Sequence, residues 1–322
     1  MVRGDKSIQN RLLSKVSSMY YDQSLNQQEI ANRLQLSRPK VSRLLKQARE
    51  KGIVKISVVS PNDSFVELEK SLEKKYGLRE ALVVDTDVHI SEKAMKRELG
   101  SAAANYLHRT IKKGDVIGVS WGTTLQAMID AMPAKQINHV HVVQALGGVG
   151  PPEAKAHATD ISRRLSQLLS SRLTLLPAPG IVSSIEAKNI LLSDHQVNGA
   201  LSMFSEINTL CVGLGALKTN PVFDHDNKNL SPELHTEITN LNAVGDIALR
   251  FFDIEGQEVD SNLKDLVIGI SIEEMKQVDT VVGIAGGSQK SDVIRGALEG
   301  NLINVLITDN QTVERLLSDK RI

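Results

Sequence analysis

Residues 114–132 read GDVIGVSWGTTLQAMIDAM. The first half, GDVIGVSWG, is a short and nearly continuous apolar run, the pattern of a strand buried on both faces. A glycine and two threonines break it, and TTLQAMIDAM continues as a helix. The same strand-then-helix unit recurs on either side. REALVVDTD (79–87) is a buried strand followed by the helix SEKAMKRELGSAAANYLHRTI (91–111). HVHVVQALGG (139–148), TLLPAPGIV (174–182), TLCVGLGAL (209–217), GDIALRFFD (245–253), DTVVGIAGG (279–287) and INVLITD (303–309) each read as or end a strand. Between and after them, DISRRLSQLLSSRL, KNILLSDHQVNGALSMFSEI, SPELHTEITNLNAVG, KSDVIRGALEG and NQTVERLLSDK read as helices. Apolar strands alternating with helices of about a dozen residues predict a mostly parallel, doubly wound α/β sheet with helices on both faces.

Ligands in such sheets sit beyond the carboxyl ends of the strands. Glycine-containing turns follow the strands there: SWGTT, ALGG, PAPG, GLGAL and AGGSQK. Glycine lets backbone N–H groups come close to a ligand. Where a helix starts directly after the turn, its N-terminus adds attraction for an anion. Gly122, Thr123 and Thr124 combine those N–H groups with two hydroxyls, and Lys290 in AGGSQK is a charge partner for the same anion. The GxxxxGK[ST] nucleotide loop and the GxGxxG dinucleotide fingerprint are both missing from these turns.

The first part of the chain has a different character. Residues 1–56 hold twelve Lys/Arg against four Asp/Glu, a net +8, and the remainder carries −8, so the 322 residues sum to zero. A basic head on an acidic body suggests a polyanion-binding module. In SIQNRLLSKVSSMYY, Ile8, Leu12, Leu13, Val16, Met19 and Tyr20 fall on one helical face. Asn26 and Glu29 have capping-box spacing for a second helix, with Ile30, Ala31 and Leu34 as its apolar face. Ser37 is placed to cap a third helix with Pro39 in its first turn. There Val41, Leu44, Leu45 and Ala48 point inward, leaving Arg38, Lys40, Ser42, Arg43, Lys46 and Gln47 outward. Gly52 ends it, and IVKISVV (53–59) follows as a short strand. This is a winged helix-turn-helix pattern whose third helix can enter the major groove and bond guanine edges or phosphates. It lacks the aromatic stacking platform of single-stranded RNA binders. SPNDSFVELEKSLEKKYGL (60–78) reads as a linker and a packing helix, with Phe65, Leu68 and Leu72 on one face. The domain expectation is therefore a DNA-binding domain at 1–58, a linker helix at 59–77 and an effector domain at 78–322.

Several functional classes are disfavoured. The composition, 41% hydrophobic and 24% charged, is ordinary for a water-soluble protein, and no apolar run is long enough to span a bilayer. The N-terminus has no signal-peptide core, and the single Cys211 excludes an intramolecular disulfide. A cytoplasmic location is expected, with no membrane partner. His139 and His141 stand at strand spacing without a nearby third ligand, and Asp224, His225 and Asp226 lack calcium-loop spacing. No metal or cofactor is expected. Lys155 and Lys218 follow strand ends, where a lysine could form a Schiff base with an aldehyde, and are read as surface lysines.

LSRPKVSRLLKQAREKGIVKI (36–56), VSWGTTL (119–125), VVQALGG (142–148), VGDIALRFFD (244–253), IAGGSQK (284–290) and ALEGNLINVLITD (297–309), in that order, resemble the SorC-type transcriptional regulators of bacteria. The resemblance covers essentially the full chain. It implies a helix-turn-helix head that binds double-stranded operator DNA. It also implies an effector domain of the sugar-phosphate isomerase and deaminase type, a phosphorylated sugar or related metabolite as effector, and a homodimer or homotetramer. Carried over by position, it implies that Gly122, Thr123, Thr124 and Lys290 hold the phosphate. Gln144, Gly147 and Gly148 would line the sugar, and Asp246 would accept from its hydroxyls, with Arg250 a further contact. The rival reading is a working sugar-phosphate isomerase or deaminase. Such deaminases resemble this fold and place an acid and a histidine in a GxDGH-like motif after a glycine-rich strand end. Here VGLGAL runs on into KTNPVF instead, and a general acid and base cannot be assembled.

Overall fold

The computed structural model describes residues 2–54, 65–149, 157–217 and 232–318, with side chains from residue 10 onward except at 232 and 235. The side chain of Ile8, strand residues 55–59, Lys155, Lys218 and the cluster Asp224, His225 and Asp226 lie outside the described residues. The chain divides into two compact units, Met1–Asn62 and Asp63–Ile322.

The first unit is three helices: α1 (Val2–Tyr21), α2 (Gln27–Leu34) and α3 (Arg38–Glu50). The α2 capping box is formed. The Asn26 carboxamide oxygen accepts from the Gln28 and Glu29 N–H groups, and Glu29 accepts from the Asn26 N–H. Gln35, in the left-handed region at φ 53°, turns the chain between α2 and α3. Ser37 stands at the α3 N-cap position, but its hydroxyl makes no capping bond. Leu13, Val16, Met19, Ile30, Ala31, Val41, Leu44, Leu45 and Ala48 close the core, with Ile53 and Val54 packed against it.

The second unit is built on a parallel sheet. Its strands are β1 (Glu80–Val84), β2 (Val116–Val119), β3 (His141–Gln144), β4 (Arg172–Thr174), β5 (Thr209–Ala216), β6 (Gly245–Ile247), β7 (Arg250–Phe252), β8 (Thr280–Ile284) and β9 (Val305–Asp309). The order β1-β9-β8-β5-β2-β3-β4 is parallel throughout, and β6 and β7 extend β5 as an antiparallel branch. Because successive side chains leave opposite faces of a strand, the sheet feeds two cores. Leu210, Val212, Val281 and Leu306 enter one with α4 (Val66–Tyr76), α9 (His195–Ser202), α13 (Ser291–Glu299) and α14 (Asn310–Leu317). Cys211, Val282, Val305 and Ile307 enter the other with α5 (Glu92–Thr110), α6 (Thr123–Ala131) and α7 (Ala158–Leu169). The 60–78 helix is α4, and its Leu72 is fully buried in the first of these cores.

Three local expectations change. GDIALRFFD is a hairpin rather than one strand, turning at Ala248 (φ 50°) and Leu249 (φ 65°), both buried. Asp246 holds the turn by accepting from the Leu249 N–H at 2.9 Å. The helix read across 188–207 is two, α8 (Ile185–Ser193) and α9, because Asp194 is extended (φ −68°, ψ 133°) and caps α9 with its carboxylate. His139 sits in a left-handed turn before β3 and is exposed, so it shares no strand face with His141. The His141 ring is instead 2.8 Å from the Thr174 hydroxyl. The remaining helices are α10 (Pro232–Asn240), α11 (Asn262–Leu266) and α12 (Ile272–Met275).

Candidate functional site

The third helix of the head presents its polar face as its periodicity dictates. Arg38, Lys40, Ser42, Arg43 and Lys46 are exposed and Gln47 is half-buried, while Val41, Leu44, Leu45 and Ala48 are buried against α1 and α2. Arg43 donates from Nε to the Pro39 carbonyl, and Lys46 stands 3.9 Å from Glu50. An exposed pair at that distance is worth a few tenths of a kcal/mol, about 0.3–0.5, and leaves Lys46 available to a phosphate.

In the second unit, β5 is flanked by β2 and β8, both parallel to it, so the turns after β2 and β8 meet at its carboxyl end. The Trp121 carbonyl oxygen comes within 3.7 Å of where a Cβ would stand on Gly213 of β5. From the other side, Lys290 donates from Nζ to the Leu214 carbonyl at 2.9 Å. Asp246 pairs with Gly215 across the antiparallel branch. The structure thus brings the Trp121–Gly122 turn, β5, Asp246 and Lys290 to one sheet edge. Burial holds the Lys290 ammonium below the usual lysine range. Asp246 and Glu92 oppose that shift, while Lys96 adds to it.

The two turns share a backbone form. Gly122 has φ 124° and ψ 160°, and Gly287 has φ 98° and ψ 153°, a region essentially confined to glycine. Their surroundings differ. The Gly287 N–H is taken internally, by Asp309 Oδ2 at 2.7 Å and Thr312 Oγ1 at 3.0 Å. Asp309 is fully buried and supplies the anion that this cradle holds. Gly122 has no side chain with which to cap α6, Thr123 is exposed and Thr124 half-buried, and among the described residues no side-chain acceptor is seen on the first N–H groups of the helix. Sequence reading paired the two turns, but Asp309 was visible only as the end of β9. Its approach to Gly287 depends on β8 and β9 being neighbours.

The other residues tied to the sugar are engaged within the fold. Gln144, 1% exposed, donates from Nε2 to the Leu146 carbonyl and accepts from the Thr159 hydroxyl. The Gly147 and Gly148 N–H groups donate to the Ile268 and Ala178 carbonyls. A Cβ on Gly147 would lie 2.5 Å from the Pro179 carbonyl oxygen, and one on Gly148 2.9 Å from His157 Nε2, so both glycines permit close packing. Arg250 braces the fold. Its Nε, Nη1 and Nη2 donate to the carbonyls of Ile270, Lys264 and Gly269, each at 3.1 Å, and Glu258 stands 3.9 Å away. Strand alternation could not place Arg250, because the Ala248–Leu249 turn intervenes.

Cys211 is buried in the core, and burial pushes its thiol up to about 12, leaving it an unreactive apolar residue. Among the described residues no group of three or more His, Cys, Asp or Glu could hold a metal ion, and no helix is long and apolar enough to cross a membrane.

Residues 60–318 match the family described as "Putative sugar-binding domain", and residues 14–51 match "Sigma-70, region 4". The deoxyribonucleoside regulator of Bacillus subtilis (strain 168) is 32% identical, covering 96% of this chain and 98% of its own length. The sorbitol operon regulator of Klebsiella pneumoniae is 30% identical, over 95% and 98%. These relatives are named as regulators, not enzymes. The crystal structure of full-length SorC from Klebsiella pneumoniae aligns at a TM-score of 0.74 over 95% of this chain and 98% of that one, at 30% identity. That of a probable sor operon regulator from Shigella flexneri aligns at 0.72 over 78% and 98%, at 28% identity.

Proposed function

The chain belongs to the SorC family of transcriptional regulators, in which a DNA-binding head is joined to a sugar-binding domain, and from that premise we propose that its effector is a phosphorylated sugar bound at Gly122–Thr124 and Lys290. The observation that carries this reading is the α6 N-terminus, opening at Gly122, at the same sheet edge as the Lys290 ammonium. N–H groups, two hydroxyls, a helix dipole and one cation make a cradle for a phosphate. Asp246 beside them accepts from sugar hydroxyls, and the tight packing at Gly147, Gly148 and Gln144 fixes the wall behind. The exposed cations of α3 contact operator DNA, with Arg38, Lys40, Arg43 and Lys46 divided between phosphates and base edges and Ser42 and Gln47 as neutral partners.

A single helix-turn-helix reads few base pairs, so we place the protein on DNA as a homodimer or homotetramer whose effector domains set the spacing of the heads. The effector changes operator affinity by the ratio of its own affinities for the two arrangements. The test is a thermal-shift screen of sugar phosphates against the matching free sugars, with Trp121 emission as a second readout. A ligand that binds only the folded protein raises its apparent stability. The expected hit is phosphorylated, quenches or shifts Trp121, and is lost in Thr123→Ala/Lys290→Ala. A hit of equal strength for the free sugar, or one retained by the double variant, contradicts the assignment.

A further inference from the structure

The first turn of α5 supplies a feature that none of the motifs marked. Met95 Sδ lies 3.3 Å from where a Cβ would stand on Gly287, and Leu99 packs beside Gly286. This seats the start of α5 against the turn that carries Lys290. On its other side α5 faces α6 across a groove of about 870 Å³, whose lining includes Glu92, Lys96, Ser101, Thr123 and Gln126. Thr123 thus borders both the phosphate cradle and this groove. Lys96 pairs with Glu92 one turn earlier at 2.5 Å, with the Lys96 side chain 30% exposed and that of Glu92 79% exposed.

Glu92 and Lys96 both act electrostatically on Lys290, with opposite sign. Lys96 disfavours the charge on Lys290, and an anion between the two relieves that repulsion. Glu92 provides that anion from the outside of the helix. A helix-surface pair of this kind contributes little, so a ligand exchanges it readily. A phosphate monoester carries close to two charges at neutral pH, more than Lys290 alone neutralises.

We propose that Lys96 is a second cation of the effector-phosphate site, and that Glu92 is an internal competitor which holds Lys96 until a phosphate dianion displaces it. The inference rests on the cradle at Gly122–Thr124 and Lys290. Glu92 is mostly solvated already, so it swings into water as Lys96 turns along the groove towards Thr123. Lys96 then selects a dianionic phosphate monoester over a neutral sugar or a monoanionic acid.

The test is titration of the full chain with inorganic phosphate at constant ionic strength, read by Trp121 fluorescence. Wild type binds phosphate. Lys96→Ala weakens it about tenfold, as expected for a charge-assisted hydrogen bond. Lys96→Arg stays within about threefold of wild type, and Glu92→Gln binds about twofold more tightly, the size of a surface ion pair. If Lys290→Ala loses phosphate while Lys96→Ala and Glu92→Gln match wild type, the cradle stands and the role of Lys96 is overturned. If wild type itself binds no phosphate, the underlying cradle is overturned and this inference with it.

Discussion

A backbone at φ 124° and ψ 160° is open to glycine and almost closed to every other residue, and Gly122 occupies it with no atom of the described residues within 4 Å of the missing Cβ. Gly122→Ala therefore pays for backbone strain alone, about 1–3 kcal/mol, with no clash to relax. Urea unfolding should show that loss without a change in m-value, together with weaker phosphate binding. Lys290 makes a pH prediction. Its ammonium is held below the usual lysine range by burial, against the pull of Asp246 and Glu92 and with the push of Lys96. The folded state releases its proton at lower pH than the unfolded chain does. In that window the unfolded state binds more protons, so stability rises with pH, while affinity for phosphate falls. Lys290→Arg, always charged, keeps its phosphate affinity through that window where wild type loses it, by about the tenfold set by one charge-assisted bond. At this scale the place of Thr123 and Lys290 just beyond strand ends was legible, since glycine, hydroxyl and lysine after an apolar run are local signals. Asp309 and Glu92 were not, because each acts on a turn far away in sequence.

At the scale of elements, α3 owes its place to α2. Asn26 closes both N–H groups at the α2 start, and the Ile30 N–H completes the first turn on the Asn26 carbonyl. Asn26→Ala removes about 1 kcal/mol, which hydrogen exchange should read as about fivefold less protection at the α2 amides. The exposed face of α3 makes a separable prediction. Arg43→Ala/Lys46→Ala weakens binding to any duplex DNA and flattens the plot of log K against log salt by up to about two, roughly 0.9 per phosphate lost. An unchanged slope would mean that another face meets the DNA. Helices and parallel strands were legible because each is written in its own periodicity. The β6–β7 hairpin was not, since Ala248 and Leu249 are no turn signal. Their left-handed backbone is held by the Asp246 carboxylate and by burial, which only the assembled fold provides.

The whole molecule joins a +8 head to a −8 body, and the two charges have different jobs. The head's field draws it to DNA, while the net-negative body offers a glycine-shaped sheet edge that carries Lys290. Organisation at this level was readable from charge partition and from the switch in periodicity near residue 60. The chemistry of the effector depends on where three turns converge, which no local pattern encodes. Coupling between the two sites is a free energy, typically about 1–3 kcal/mol or 5–150-fold in affinity, and it must act in both directions. The most direct measurement is DNA binding by fluorescence anisotropy, for wild type and Thr123→Ala/Lys290→Ala, with the sugar phosphate that gives the largest thermal shift. The account predicts that the ligand moves wild-type affinity at least fivefold and leaves the double variant, which still binds DNA, unmoved. An equal response in the double variant, or none in wild type at saturating ligand, would contradict it.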